Sequence, residues 1–219
     1  MSSLTLVRHG QATAFQHAAD RLTALGETQA RKLAEFWLKH GAAFDEVHSG
    51  ALTRQVQTER IVAQCYREAG MPWPTVTQDA AWNEYDAHGV LASAGIEFDR
   101  EDYRRFQLRF EAVMLEWLAG SAPADRVEPF LAFRGRVTGA IRRLMAGAPG
   151  RRVAIFTSGG PIGFTANYAI GGPDRSFLEL NWRVRNASLT AFLFNQSRLS
   201  LDSFNSVTHL EEETLLTFR

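Results

Sequence analysis

The N-terminal segment LVRHG ends a short apolar run with an arginine, a histidine and a glycine. A histidine at this point, His9, could bind a metal ion, act as a general base or attack phosphorus directly. Metal binding has the least support, because no second histidine or carboxylate lies nearby at the spacing of a ligand pair. The motif is weak by itself, so its meaning depends on the rest of the chain.

Three further segments carry residues with related chemistry. HSGALTRQVQTER places Arg54 in the first turn of a predicted helix, and AWNEYD places Glu84, with Asp86 as its rival, before an irregular segment. FTSGGPI ends a buried apolar run at Ser158 and opens a helix. Because ligands bind at the carboxyl ends of strands in open α/β sheets, these residues are expected to meet in one pocket at the end of the first strand.

Strands and amphipathic helices alternate along the chain, which predicts an α/β fold: a three-layer α/β/α sandwich with a mostly parallel central sheet. Strands are expected at 3–8, 44–49, in the edge segment MPWPTV, and at 151–157, 181–186, 188–195 and 198–207. Helices are expected at about 25–40, in LTRQVQTERIVAQCYREAG, and at about 127–146 and 161–170. Residues 1–219 are interpreted as one domain, with a helical cap inserted at about 85–126.

Aromatic residues are concentrated in the predicted cap and its surroundings. One face of a cap helix is predicted to carry Tyr103, Phe106, Phe110, Val113 or Met114, and Trp117. Tyr85, Tyr103, Phe106 and Trp82 near the mouth of the pocket would suit an aromatic or apolar leaving group without requiring one.

In this order, the segments resemble the histidine phosphatase superfamily, also called the phosphoglycerate-mutase-like family. RHG matches the first family motif, and SGALTR resembles the S-x-L-x-R motif with one extra residue, matching at Ser49, Leu52 and Arg54. RLTALGETQARKLAEFW resembles the first helix, NASLTAF a late strand and FNSVTHL the C-terminal part. The resemblance covers nearly the whole chain.

The resemblance implies a phosphoric monoester hydrolase of the histidine acid phosphatase type that needs no metal ion and no cofactor. His9 would attack phosphorus and carry the phosphoryl group, while Glu84 would protonate the leaving oxygen. Arg8 and Arg54 would grip the phosphate oxygens. The substrate-binding residues would be Arg8, Arg54, Ser158, Gly159, Gln11 and Thr13. Hydrolysis is favoured over mutase activity, because RHGQATAFQH lacks the Trp-Asn pair that mutases of the family carry after this motif.

The sequence departs from the family pattern at Ser158, where the family has a second histidine beside the phosphate. Three interpretations stay open: a phosphatase with an altered second site, a weak or inactive relative that binds a phosphorylated ligand, and a serine hydrolase. The last needs G-x-S-x-G, and Phe156 occupies the first glycine position. Ser158 could also simply cap the following helix. His48 or His209 could supply a substitute imidazole.

The overall composition limits the class of partner. The 219 residues contain 24 basic and 24 acidic residues, and a net charge of zero argues against a nucleic-acid or membrane-surface binder. The expected ligand is a small phosphomonoester or a phosphate anion. A single cysteine, Cys65, excludes an intramolecular disulfide and fits a reducing cytoplasm. The N-terminus is not typical of a signal peptide. The oligomeric state, including a homodimer, stays open.

A cluster of arginines stands out late in the chain and has no acidic partner within its own segment. It comprises Arg134, Arg136, Arg142, Arg143, Arg151 and Arg152. A solvated helix face is favoured over a role in steering anions.

Overall fold

The computed structural model describes residues 1–13, 20–96, 103–121 and 127–218, without the side chains of residues 103–105. In this part of the chain the strands are β1 (Ser2–Arg8), β2 (Glu46–Ser49), β3 (Val76–Gln78), β4 (Arg152–Thr157), β5 (Leu189–Phe194) and β6 (Leu199–Ser206). The helices are α1 (Ala24–Lys39), α2 (Thr53–Glu68), α3 (Ala87–Ser93), α4 (Tyr103–Leu118), α5 (Phe130–Met145), α6 (Gly159–Ile170) and α7 (Asp174–Asn181), with 3₁₀ turns at Ala80–Trp82 and Glu213–Leu215. None of the helices described has both the length and the apolar character needed to cross a lipid bilayer.

The strands form one sheet in the order β3-β2-β4-β1-β5-β6. The four strands from β3 to β1 are parallel, whereas β5 and β6 are joined antiparallel. Arg8 lies opposite Thr157 in the register, so β1 and β4 end side by side. The residues that follow them, His9 and Ser158, therefore start at the same edge of the sheet. The α/β fold with a mostly parallel sheet, predicted from the sequence, is confirmed.

Apolar layers cover the sheet on both faces, because successive side chains of a strand point in opposite directions. On β1, Leu4 and Leu6 belong to a core that includes residues of α5 and α6, whereas Val7 belongs to a second core. That second core includes Leu33 of α1 and Val62 of α2. Helices thus lie on both sides of the sheet, as the three-layer prediction requires.

Helices α3 and α4 lie within the segment predicted as a cap. The expected apolar face of α4 is buried at Phe106, Phe110, Met114 and Trp117. The Trp117 ring packs against Phe130 of α5, with ring centroids 5.3 Å apart. The side chain of Tyr103 lies outside the described residues.

The strand predicted for residues 181–186 is wrong. Residue 181 is instead the last residue of α7, and residues 182–186 form the irregular turn that leads to β5. Pro173 precedes this helix and Asp174 stands in its first turn, where a negative charge is favourable. Phe177 and Leu178 bury the helix against the larger core.

Several arginines of the predicted cluster pair with acids from other segments. These ion pairs are Arg134–Asp174 at 2.9 Å, Arg143–Asp79 at 2.8 Å, Arg151–Glu46 at 2.8 Å and Arg152–Asp45 at 3.3 Å. The three pairs other than Arg151–Glu46 are exposed, and exposed ion pairs contribute little to stability. Arg136 differs from them, because its side chain reaches the cavity described next.

Candidate active site

A cavity of about 790 Å³ lies at the carboxyl ends of β1 and β4. Of the residues predicted for the site, it is lined by Arg8, His9, Thr13, Arg54, Glu84 and Gly159. His88 of α3 and Phe110 of α4 line it as well. Strand ends and residues of α3 and α4 therefore meet around one site at the carboxyl edge of the sheet, as is typical of ligand sites in open α/β sheets.

The imidazole of His9 is held in one tautomer. Its Nδ1 lies 2.7 Å from the carbonyl oxygen of Gly10, which can only accept, so Nδ1 carries the proton. Its Nε2 accepts a hydrogen bond from Nε of Arg54 at 3.0 Å. Nε2 therefore carries the lone pair and is the nitrogen that can act as a nucleophile.

The pKa of His9 lies well below its usual value of 6.5. Burial is the main cause, and the positive charges of Arg54 and Arg8 add to it. The hydrogen bond to Gly10 acts in the opposite direction but does not compensate. The ring is therefore neutral, and its lone pair available, at neutral pH.

The main-chain carbonyl group of His9 is held by Asn186 and Ala187, and Asn186 is held in turn by Thr217. The carbonyl oxygen of His9 accepts hydrogen bonds from the amide of Ala187 at 3.2 Å and from Nδ2 of Asn186 at 3.4 Å. The side-chain oxygen of Asn186 accepts a hydrogen bond from Oγ1 of Thr217 at 2.9 Å. The main-chain N–H of Asn186 donates to the carbonyl oxygen of Thr217, also at 2.9 Å. Gln29 of α1 donates to the same Thr217 hydroxyl at 3.0 Å.

The turn after His9 passes close to the start of α1. A Cβ atom on Gly10 would lie 2.3 Å from the carbonyl oxygen of Gly26, and one on Gly26 would lie 2.0 Å from that of Gln11. Both positions therefore require glycine. The side chain of Gln11, predicted to bind substrate, accepts a hydrogen bond from Thr23 at 2.9 Å instead, and it is not among the described residues that line the cavity.

Arg54 contacts both His9 and a carboxylate that sequence reasoning missed. Its Nη1 pairs with Oδ1 of Asp20, and Oδ2 of the same carboxylate accepts a hydrogen bond from the amide of Thr53 at 2.8 Å. Asp20 lines the cavity. No pattern in the sequence signals it, because it lies 34 residues from Arg54 and outside every motif. An anionic substrate must share this guanidinium with Asp20.

We expect Asp20→Asn to strengthen the binding of inorganic phosphate. Asparagine keeps the size of the side chain and, through its single amide oxygen, one of the two hydrogen bonds that Asp20 accepts, and it removes one negative charge beside the bound dianion. The inhibition constant of phosphate is expected to fall about 3- to 10-fold at low salt, with a smaller gain at high salt. An unchanged or higher inhibition constant would contradict competition between Asp20 and phosphate.

Arg8 contributes the second cation of the site. Its Nη1 donates to the carbonyl oxygen of Val184, in the turn that follows α7. The positive charges of Arg8 and Arg54 act on the pKa values of both His9 and Glu84. Two guanidinium groups therefore lie close to the two titratable groups on which catalysis would depend.

Glu84 is docked on the first turn of α6. Both of its carboxylate oxygens accept the amide hydrogen of Gly160, at 2.9 and 3.1 Å. A Cβ atom on Gly160 would lie 2.0 Å from Oε1, so only glycine allows this contact. Burial raises the pKa of Glu84 above 4.5, against the opposing effects of the Gly160 amide and the charges of Arg54 and Arg8. A carboxyl group with a raised pKa suits a proton donor.

Asp86, the alternative to Glu84 as proton donor, also lines the cavity but is the N-cap residue of α3. It is exposed, and as the N-cap of α3 it accepts a hydrogen bond from the amide of Gly89 at 2.8 Å. The geometry therefore favours Glu84 as the proton donor.

Ser158 is fully buried and is not among the described residues that line the cavity. Its Oγ accepts a hydrogen bond from Nε2 of Gln55 at 2.8 Å, and the same amide group donates to the carbonyl oxygen of Trp82 at 3.2 Å. Ser158 occupies the N-cap position of α6, yet its side chain makes no capping hydrogen bond. The next residue, Gly159, reaches the cavity in its place.

The two histidines considered as substitutes lie elsewhere. His48 lines a separate small cavity, with its Nε2 3.5 Å from a carboxylate oxygen of Glu46. His209 is buried near the ring of Phe36, and burial lowers its pKa to about 4. Among the described residues, the histidine that lines the cavity together with His9 is His88, which no motif had singled out.

The aromatic residues of the cavity differ partly from those predicted. Trp82 and Phe106 are buried in the larger core rather than at the mouth. Within the part of the chain that the structure describes, the aromatic residues that line the cavity are Tyr85, Phe110, Trp182 and Phe218. Trp182 was missed because the segment before β5 was taken for a strand.

A family model described as the histidine phosphatase superfamily (branch 1) matches residues 4–207 of the chain. The chain belongs to the histidine phosphatase superfamily. The resemblance carried by RHG and SGALTR is thereby confirmed. No curated protein matches the chain significantly.

Solved structures of phosphatases share the fold of this histidine phosphatase superfamily member. The α-ribazole phosphatase of Shigella flexneri is 25% identical, with a TM-score of 0.69 over 93% of this chain and 96% of that chain. A phosphoserine phosphatase of Entamoeba histolytica, in complex with phosphoserine, is 19% identical, with a TM-score of 0.70 over 96% of this chain and 100% of that chain. A mycobacterial glucosyl-3-phosphoglycerate phosphatase is 22% identical, with a TM-score of 0.67 over 94% and 99%. The last two show similarity of fold alone.

Proposed function

We propose that this protein hydrolyses small phosphomonoesters through a phosphohistidine intermediate on His9. The observation that carries the proposal is the lone pair on Nε2 of a buried, neutral His9, in a cavity shared with two arginines and the half-buried carboxyl group of Glu84. The similarity to an α-ribazole phosphatase at 25% identity supports hydrolysis of a phosphate ester.

In the first step, the phosphate dianion binds to Arg8 and Arg54, whose guanidinium groups suit its oxygens. The N–H of Arg54 that now donates to Nε2 of His9 turns to a phosphate oxygen and frees the lone pair. Nε2 attacks phosphorus, the P–N bond forms and the P–O bond to the leaving group breaks. The leaving oxygen takes the proton of the Glu84 carboxyl group.

In the second step, the Glu84 carboxylate takes a proton from water as the water oxygen attacks phosphorus. The P–N bond breaks, inorganic phosphate forms, and the electron pair returns to Nε2 of His9. Glu84 is protonated again, so the cycle closes. The proposed steps use side chains alone, without a metal ion or cofactor.

A rapid-quench experiment tests the proposal. A ³²P-labelled monoester is mixed with the protein in the presence of EDTA and quenched with alkali within one turnover. We expect a phosphoryl group that is stable to alkali, labile to acid and located on His9 by mass spectrometry. A phosphoryl group on Ser158, or turnover that requires added metal without a phosphoenzyme, would contradict the mechanism.

We further propose that Ser158 attenuates the activity. The family's second histidine supplies a donor to the phosphate, and the loss of one such donor typically lowers the rate by about 10²–10³-fold. Backbone amides at the start of α6, on Gly159 and Gly160, are suited to recover part of it. The alternative is a protein that binds a phosphorylated ligand without turning it over. Affinity for vanadate without hydrolysis of any monoester in a panel would favour that alternative.

We expect Ser158→His alone to lower stability rather than raise the rate. Ser158 is 0% exposed and the Gln55 amide is 2.8 Å from its Oγ, so an imidazole would overpack the site at a cost of about 1–3 kcal/mol. Gln55→Ala combined with Ser158→His frees this volume, and kcat/KM for p-nitrophenyl phosphate is then expected to rise about 10-fold or more over Gln55→Ala alone. A double variant no faster than Gln55→Ala would show that a missing imidazole does not limit the rate.

A serine hydrolase that uses Ser158 gains no support from the structure. The partner of its Oγ is the Gln55 amide rather than a histidine or carboxylate, which a nucleophilic serine needs as its base. Burial of the hydroxyl also separates it from the cavity.

A further inference from the structure

Arg136, on α5, lies next to the segment that carries Glu84. Its side chain is 22% exposed, and it lines the cavity. Its Nη1 donates to the carbonyl oxygens of Ala81 and Asn83, at 2.9 and 2.7 Å, and its Nη2 donates to the carbonyl oxygen of Glu84 at 3.2 Å. Arg136 thus binds the main chain of the proposed proton donor itself.

The guanidinium group of Arg136 is fixed from its other side by Glu128, which shortly precedes α5. Nε donates to Oε1 at 2.6 Å and Nη2 donates to Oε2 at 2.9 Å, a bidentate pair. The Arg136 guanidinium also lies over the Phe133 ring, 4.8 Å from its centroid. All five N–H groups of the guanidinium therefore have an acceptor, and none is left for a substrate.

The segment 81–84 depends on such side-chain contacts, because it leaves its 3₁₀ turn without entering a strand or helix. The carbonyl oxygen of Trp82 accepts hydrogen bonds from Oγ1 of Thr157 at 2.6 Å and from Nε2 of Gln55 at 3.2 Å. Arg136 binds the carbonyl groups of residues 81, 83 and 84, and Thr157 and Gln55 bind that of residue 82. Each of the four successive carbonyl groups is therefore bound by a side chain from a distant element. The position of the proton donor is therefore set by tertiary contacts.

We propose that Arg136 is the positioning residue of the general acid, an inference that rests on the proposed function. Arg136 makes no contact with the substrate. It holds the main chain of Glu84 so that the carboxyl group, docked on Gly160, reaches the leaving oxygen. Proton transfer requires hydrogen-bond distance, and displacements well below 1 Å already lower the rate. Lysine cannot replace the arginine, because a single ammonium group cannot span three carbonyl groups and a carboxylate.

The test compares two esters of similar size that differ in their need for a proton. p-Nitrophenolate leaves as a stabilised anion, whereas the p-nitrobenzyl alkoxide must be protonated as the P–O bond breaks. The ratio kcat/KM reports only the steps up to the phosphohistidine, so it is independent of the second step. We expect Arg136→Met to lower kcat/KM about 30- to 100-fold for p-nitrobenzyl phosphate and by less than about threefold for p-nitrophenyl phosphate.

Arg134→Met is the matched control, because Arg134 lies on the same helix as Arg136 and the substitution breaks only an exposed ion pair with Asp174 of α7. It is expected to leave both rates unchanged. Arg136→Lys should resemble Arg136→Met, since lysine keeps the positive charge but lacks the planar guanidinium group with its fixed set of donors. Adding Arg136→Met to Glu84→Gln should cost nothing further on p-nitrobenzyl phosphate, because an absent acid and a misplaced acid are equivalent.

If Arg136→Met does not fold, Glu128→Gln keeps the proposal testable. It preserves the shape of the partner but weakens the pair, and a selective loss of about 3- to 10-fold on p-nitrobenzyl phosphate is expected. Equal losses on both esters, or none, would overturn the positioning role. A wild-type protein that forms no phosphohistidine would overturn the proposed function as well. A wild type that forms it, with an Arg136→Met variant whose rate ratio is unchanged, would overturn the positioning role alone.

Discussion

His9→Ala is expected to abolish the hydrolysis of phosphomonoesters, with a loss of about 10⁴-fold or more in kcat. The substitution removes the nitrogen, Nε2, that forms the bond to phosphorus in the first step. Arg8 and Arg54 remain to bind the anion, so the dissociation constant of inorganic phosphate should change by less than about tenfold. Initial rates with p-nitrophenyl phosphate in EDTA, together with calorimetric titration of phosphate, measure both effects.

His48→Ala is the control for this loss, because His48 lies outside the cavity of His9. It removes an imidazole from the same sheet and is expected to retain nearly full activity. More than about 1% of wild-type kcat in His9→Ala would show that another group attacks phosphorus. Loss of phosphate binding together with turnover would show instead that His9 chiefly organises the arginines.

Glu84→Gln is expected to lower kcat/KM for alkyl phosphates about 10²–10³-fold and to remove the high-pH limb of the pH profile. Glu84 must be protonated to act, and burial raises its pKa above 4.5, so activity falls as the pH rises through that pKa. His9 must be unprotonated, and burial with Arg54 and Arg8 lowers its pKa below 6.5, so activity falls as the pH drops through that lower value. The Glu84→Gln variant therefore keeps the loss of activity at low pH, which is due to His9, and lacks the loss of activity at high pH.

The control for Glu84→Gln is Asp86→Asn, which neutralises the other carboxylate of the same loop. Asparagine can still cap α3, so folding is preserved. We expect the high-pH limb to persist in Asp86→Asn. A profile that loses this limb in Asp86→Asn and keeps it in Glu84→Gln would assign the proton to Asp86 instead.

The central sheet could be predicted because its strands are local patterns in the sequence. The apolar run of β4 is bounded by Arg152 and Ser158, and β1 ends at Arg8, so polar residues in the sequence mark the ends of these strands. Parallel strands align their carboxyl ends, which is why residues far apart in sequence could be expected in one pocket. The location of Arg54 in this pocket could be predicted because the sequence places it in the first turn of a helix.

Residues whose roles depend on distant partners could not be predicted. Ser158 was expected to bind substrate, but the Gln55 amide that engages it comes from a helix 103 residues earlier in the chain. The acceptors of Arg136 lie up to 55 residues before it, so its own segment gave no reason to separate it from neighbouring arginines. Helix α7 was missed because its end and the following turn alternate between apolar and polar residues, which locally favours a strand.

The bonds from Thr217 to Asn186, and from Asn186 to the His9 carbonyl, have a consequence for biosynthesis. β1 leaves the ribosome long before its neighbours β4 and β5 have been translated. A nascent chain therefore exposes the nucleophile without the contacts that hold it in place. The reactive centre is therefore assembled only after residue 217 has been synthesised, and a protease that trimmed the chain before this residue would remove one of its supporting contacts.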